Sequence, residues 1–206
     1  MHLCQMLYQQ SCAYARAHDG NVSPYPLAGV PLLFSALRAL LIECNSGMFG
    51  KSLAGNATLQ RLCDDPNELP LLREQYSFTN EVVMDHLALL YEVRNEIVHP
   101  AHRPVGTKNN TPPYMMPLRE LGILQSRGEG SEGDYGWSAQ LQSHKLFRWA
   151  CEQVAHAAGR VIDAHHSDVE FAELHKATYF RFRQLDAQPF VAPDSLQRAS
   201  PASASG

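Results

Sequence analysis

A chain of 206 residues with 45% apolar and 18% charged side chains holds enough of both for one packed domain. A formal net charge of -4 and a pI near 6.2 exclude a protein that grips nucleic acid by bulk electrostatics, which draws on a basic surface. Any contact with a polyanion must therefore be local.

The opening HLCQMLYQQSCAYARA spaces Leu3, Met6, Leu7, Tyr14 and Ala17 as one helical face and stops at the turn-like HDGNVSPYP. From Pro31, PLLFSALRALLIECNSG is nearly all apolar; proline at a first helical position and Gly47 as C-cap bound it, and it is expected to be the most buried helix. NATLQRLCDD forms a short helix ending before Pro66, and LPLLREQY adds another turn or two. SFTNEVVMDHLALLYEVRNEIVHP offers Thr79 or Asn80 as N-cap, Glu81 in the first turn, and an apolar stripe of Val83, Leu87, Leu90, Val93, Ile97 and Val98 before Pro100. LRELGILQ reads as a helical turn. LQSHKLFRWACEQVAHAAGRVIDAHH sets Leu146, Trp149, Ala150, Val154, Ala157, Val161 and Ile162 on one stripe, and DVEFAELHKATYFRFRQLD is a last helix.

No alternation of β-branched and polar residues is sustained, and no Asn-Gly or Asp-Gly turn joins two such runs. The expected fold is all-α: a helical bundle, most simply up-and-down, over residues 1–186, with long loops after the VRNEIVH helix and a small, polar, proline-containing tail over 187–206. Two loop segments interrupt it, Pro100 to Pro117 and GEGSEGDYG at Gly128 to Gly136.

Five cysteines form no CxxC pair and are odd in number, the pattern of reduced, mostly buried thiols. No stretch is expected to span a bilayer, and no basic, apolar, small-residue leader opens the chain, so the expected location is the cytoplasm, with no membrane partner. Adjacent His165 and His166 point about 100° apart on a helix, a poor start for a metal site. No metal and no cofactor are expected. The mixed aromatic and basic KATYFRFRQ is explained most simply by Phe180 on the core and Arg181 and Arg183 in solvent.

The stretch YEVRNEIVHP asks for a chemical explanation, because a buried structural helix gains little from Arg94, Asn95 and His99 at its end. Asn95 and His99 stand one turn apart on one face, so the amide is placed to fix the imidazole, while the long stem of Arg94 swings its guanidinium toward the same region. Cleaving RNA without a metal needs a group titrating near neutrality to take the 2′-hydroxyl proton. It also needs a cation for the charge growing on the phosphoryl oxygens, and a forked guanidinium supplies one. A simpler use of the same residues pairs Arg94 with Glu92, Glu96 or another acid and leaves His99 as a C-cap favoured by the helix dipole.

RNEIVH, an arginine followed by a polar residue and, five positions on, a histidine, resembles the motif of HEPN domains, helical domains found in metal-independent ribonucleases of toxin–antitoxin, phage-defence and CRISPR systems. The order of elements over roughly residues 25 to 185 is similar too: an apolar helix before the motif, the motif near the end of a later helix, then WSAQLQSHKLFRWACEQV. The resemblance implies a homodimeric endoribonuclease with Arg94, Asn95 and His99 catalytic. Attack of the ribose 2′-oxygen on the adjacent phosphate then leaves a 2′,3′-cyclic phosphate. It further implies RNA as partner and, in some members, an antitoxin or defence-system protein. The other reading is a non-catalytic module of the same kind that binds a nucleotide or a partner nucleotidyltransferase. Beyond the motif, His102, Arg103, Lys108 and Tyr114 are candidate RNA contacts, the basic groups for phosphate and the ring for an unstacked base.

Overall fold

The computed structural model describes residues 1–18, 21–53, 55–64, 67–78, 81–100, 111–125 and 137–187, without the side chains of 81, 82, 137, 180 and 182–187. Described residues are mostly helical and contain no strand, the only pairing outside helices being an isolated bridge between Val22 and Ser143. The helices are α1 (His2–Ala17), α2 (Pro26–Asn45), α3 (Asn56–Asp64), α4 (Leu69–Gln75), α5 (Glu81–Val98), α6 (Met116–Glu120, entered through a 3-10 turn at Pro113–Met115), α7 (Trp137–Gln140), α8 (His144–His165) and α9 (Val169–Ala187). The all-α expectation holds. The tail after Ala187 lies outside the described residues.

The bundle is built around α2 against α8, with α1, α5 and α9 laid around that pair. What lets α2 and α8 meet closely is Gly29: a Cβ there would lie 2.1 Å from Cζ of the fully buried Phe147. Ala150, Ala155, Ala157 and Ala158 keep α8 slim along the same core, and Leu33, Leu37 and Leu41 of α2 are fully buried.

Four boundaries or faces differ from those read in the sequence. Helix α2 starts at Pro26, so Pro31 sits inside it; one proline in the second turn removes a single helical hydrogen bond, which the buried leucines of this helix outweigh. Its far end is as expected: Gly47 takes φ +78°, its N–H reaches Cys44 O at 3.2 Å, and Met48 N–H reaches Glu43 O at 3.3 Å, a Schellman ending. Helix α1 buries Cys4, Tyr8, Ser11, Cys12 and Ala15, so the expected stripe is turned outward and Leu3 and Met6 are about half exposed. On α5 the stripe runs Met84, Leu87, Leu90, Val93 and on to buried Glu96, leaving Val98 at the surface.

Helix α8 begins at His144 rather than at Leu141, because its free N–H groups are met there. Asn21 O accepts from His144 N at 2.7 Å, Asn21 Oδ1 from Lys145 N at 2.7 Å, Ser143 Oγ from Leu146 N at 3.2 Å, and Ser143 O from Phe147 N at 3.2 Å. Asp168 Oδ1 caps α9 in the same way, accepting from Glu170 N at 2.8 Å and Phe171 N at 3.2 Å.

By length and mean hydropathy α2 would suffice to cross a membrane, against the expectation that no stretch does. It carries Arg38 past its middle and Glu43 near its C-terminal end, and Leu33, Leu37, Leu40 and Leu41 are packed inside the bundle.

Candidate functional site

The last turns of α5 carry the motif. Pro100 cannot continue the helix, so the final backbone bond is His99 N–H to Asn95 O at 2.7 Å, and the imidazole stands exposed at the helix end. Arg94 is half-buried. Its Nη1 donates to Asn95 Oδ1 at 2.9 Å, and its guanidinium carbon lies 6.0 Å from the centroid of the Tyr91 ring, one turn earlier. Tyr91 is held in turn by an edge-on contact with Phe34 of α2, 5.8 Å between centroids at 76°.

This corrects one detail of the expected constellation. The Asn95 carboxamide grips the guanidinium, not the imidazole; its link to His99 is the backbone bond. Chain neighbours point about 100° apart, but the arginine stem is long enough to fold back and bring its cation to the amide oxygen. Among the described residues Arg94 makes no ion pair. Glu96, the expected acidic alternative, is buried and instead accepts from the Tyr114 hydroxyl.

Tyr114 thus ties the 3-10 turn to α5 while its ring stays partly exposed. His102, Arg103 and Lys108 lie outside the described residues.

Beside Arg94 opens a cleft of about 70 Å3 between α2 and α5, lined by Phe34, Ser35, Arg38, Glu68, Tyr91 and Arg94. Arg38 anchors one guanidinium nitrogen on the Leu62 carbonyl. Tyr91 could have been found in the sequence, one helical turn before Arg94. Arg38 gave no signal, since a lone arginine in an apolar helix reads as a surface residue.

Among the described residues, His144, His165, His166 and His175 belong to the framework. His165 is fully buried, its Nδ1 2.6 Å from Lys51 O and its Nε2 2.6 Å from the Tyr76 hydroxyl, which also accepts from Asn45 Nδ2 at 3.1 Å. Desolvation pushes its pKa below the usual value and pushes that of Tyr76 up. His166 Nε2 lies 3.2 Å from His175 Nδ1 against Phe49, linking the end of α8 to α9, and burial and then His166 lower the pKa of His175. His144 sits between Ser11 Oγ at 2.9 Å and the Cys12 sulfur at 3.7 Å, with Ser11 and Ser23 wholly enclosed, so this serine–histidine pair offers no path to a substrate. Among the described residues no three histidine, cysteine, aspartate or glutamate side chains are grouped to hold a metal ion. Cys4, Cys12, Cys44 and Cys151 are buried free thiols, that of Cys44 pushed up to about 12 by desolvation, and Cys63 is exposed. Arg181 faces solvent; the side chains of Phe180 and Arg183 lie outside the described set.

No family model, curated protein or solved structure matches the chain. The site must be argued from its own chemistry.

Proposed function

We propose that this protein is a metal-independent endoribonuclease of HEPN type, acting in the cytoplasm as a homodimer and serving as the effector of a toxin–antitoxin or phage-defence system. The observation that carries the reading is the contrast within one helix end. Arg94 is braced by Asn95 and Tyr91 and makes no ion pair among the described residues, while His99 is exposed beyond it. Glu96, two residues on, faces another way and accepts from the Tyr114 hydroxyl.

In the proposed reaction His99 takes the proton of a ribose 2′-hydroxyl, and the 2′-oxygen attacks the adjacent phosphorus. Arg94 stabilises the charge on the non-bridging oxygens, Asn95 holds the guanidinium in place, and the 5′-oxygen leaves. The leaving oxygen needs a proton, and a second motif from a partner copy would supply it from its own His99. The products are a 2′,3′-cyclic phosphate and a 5′-hydroxyl. An antitoxin or other partner protein would restrain the site.

The test is incubation of the purified protein with end-labelled RNA in EDTA, beside His99→Ala. Cleavage that survives chelation, disappears in the variant and leaves cyclic phosphate ends supports the reading. Failure to cut any RNA pool, with the protein dimeric and free of partners, overturns it in favour of a module that binds a nucleotide or a nucleotidyltransferase-like partner.

A further inference from the structure

Ser35 and Arg38 stand one turn apart on α2, Tyr91 and Arg94 one turn apart on α5, and both pairs line the same cleft. We infer that this cleft is a phosphate subsite that seats one phosphodiester of a single-stranded RNA beside the Arg94–His99 motif. The inference rests on the ribonuclease reading for its substrate and adds to it a residue on another helix, Arg38.

Size selects the group. The cleft is small, about 70 Å3, and suits a compact group such as a phosphate better than a base. Ser35, which lines the cleft, is exposed, so the cleft opens to solvent there.

Charge selects the same group. Among the described lining residues, two guanidiniums and the Glu68 carboxylate sum to a formal charge of one positive unit. A half-buried surplus cation is costly without a counter-ion, and one phosphodiester carries the single negative charge that balances it. A terminal phosphate, with nearly two charges, would meet Glu68 at its own expense.

The donors are already set. Arg38 is fastened to Leu62 O and Arg94 to Asn95 Oδ1 and the Tyr91 face, so each spends part of its fork on the protein and keeps further N–H groups for an anion. Ser35 Oγ donates to Pro31 O at 3.2 Å, so its proton is spent within the helix and the arginines supply the donors. Arg94 serves the reacting phosphate and also lines the cleft, so the phosphodiester in the cleft is the neighbouring one, held chiefly by Arg38 with Arg94 shared between the two. The chain would then be held at two successive points, one for binding and one for chemistry.

The experiment is fluorescence anisotropy of a short, labelled, uncleavable 2′-O-methyl RNA titrated with wild type, Arg38→Gln, Arg38→Lys, Ser35→Glu and Glu68→Gln over a salt series in EDTA, with cleavage of ordinary RNA followed in parallel. Expected are a loss of about tenfold or more in affinity for Arg38→Gln and Ser35→Glu, with a salt slope reduced by about one. Arg38→Lys should recover part of the affinity, and Glu68→Gln should bind more tightly than wild type. Ser35→Glu guards against misfolding, since its side chain lies at the surface and holds nothing together. Unchanged affinity and slope in folded Arg38→Gln and Ser35→Glu overturn the subsite even if the RNA is cut. Loss of binding in those variants supports it even if no RNA is cut, in which case the nuclease reading falls and the subsite stands. A wild type that does not bind the RNA overturns it outright.

Discussion

The Tyr76 hydroxyl lies 2.6 Å from Nε2 of His165, and the bond closes a buried relay from Asn45 through Tyr76 and His165 to the Lys51 carbonyl. Because Lys51 O can only accept, Nδ1 of His165 carries the proton and Nε2 receives one from Tyr76. Tyr76→Phe leaves the imidazole nitrogen and an Asn45 N–H buried with one partner fewer. The expected cost is about 1–3 kcal/mol, about 2–4 °C in Tm per kcal/mol for a domain of this size, read by thermal unfolding. A variant as stable as wild type would show the relay to be dispensable.

The same histidine gives a pH dependence whose sign follows from its burial. His165 and His175 both have pKa values lowered below the ordinary 6.5, chiefly by desolvation. Above about pH 6.5 neither state carries these protons, so they contribute nothing to the slope. As pH falls through that value the unfolded chain takes up protons that the folded chain refuses, and stability is lost until the folded pKa values are reached. Urea unfolding at a series of pH values is expected to show this loss, at up to about 1.4 kcal/mol per pH unit for each histidine. His165→Gln should flatten the slope, and an equally steep variant would assign the effect to other groups.

The helices were legible because periodicity reports burial, and a C-cap such as Gly47 reports an end. The face of α1 was not legible: its buried side is made of Cys4, Tyr8, Ser11 and Cys12, packed among α2, α8 and α9, while the apolar Leu3 and Met6 stay outside. A serine inside a core becomes readable only once its partner, His144, is known to stand 2.9 Å away, 133 residues along the chain. The motif on α5 was legible as local spacing. Arg38, brought to it by the packing of α2 on α5, was not.

Gly29 is where two helices touch. Gly29→Ala sets a methyl 2.1 Å from Cζ of Phe147, and that ring is itself fixed edge-on to Tyr8 at 5.5 Å between centroids. The helices must part, at a cost of about 1–3 kcal/mol despite the better helix propensity of alanine. Phe147→Leu in the same chain opens the space, so the double variant should lose less than the sum of the two single losses. Additive losses in denaturant unfolding would mean that the contact at Gly29 does not limit the packing.

The motif itself separates chemistry from stability. Arg94 is half-buried, bonds its neighbour Asn95 and makes no ion pair among the described residues, so Arg94→Ala should cost no more than about 1 kcal/mol of folding free energy. On the ribonuclease reading it should cost about 2.7–4 kcal/mol of barrier, a hundredfold or more in rate, because the group serves charge that develops only in the transition state. Arg94→Lys keeps the charge but not the fork, and a lysine reaches neither the Asn95 oxygen nor a phosphate in two-point geometry, so it should recover little. Asn95→Ala should fall between wild type and Arg94→Ala, since it frees the guanidinium without removing it. Cleavage rates in EDTA beside melting curves for the three variants decide the matter: a large fall in Tm for Arg94→Ala with a proportional loss of rate would make this arginine a structural residue and leave His99 without its cation.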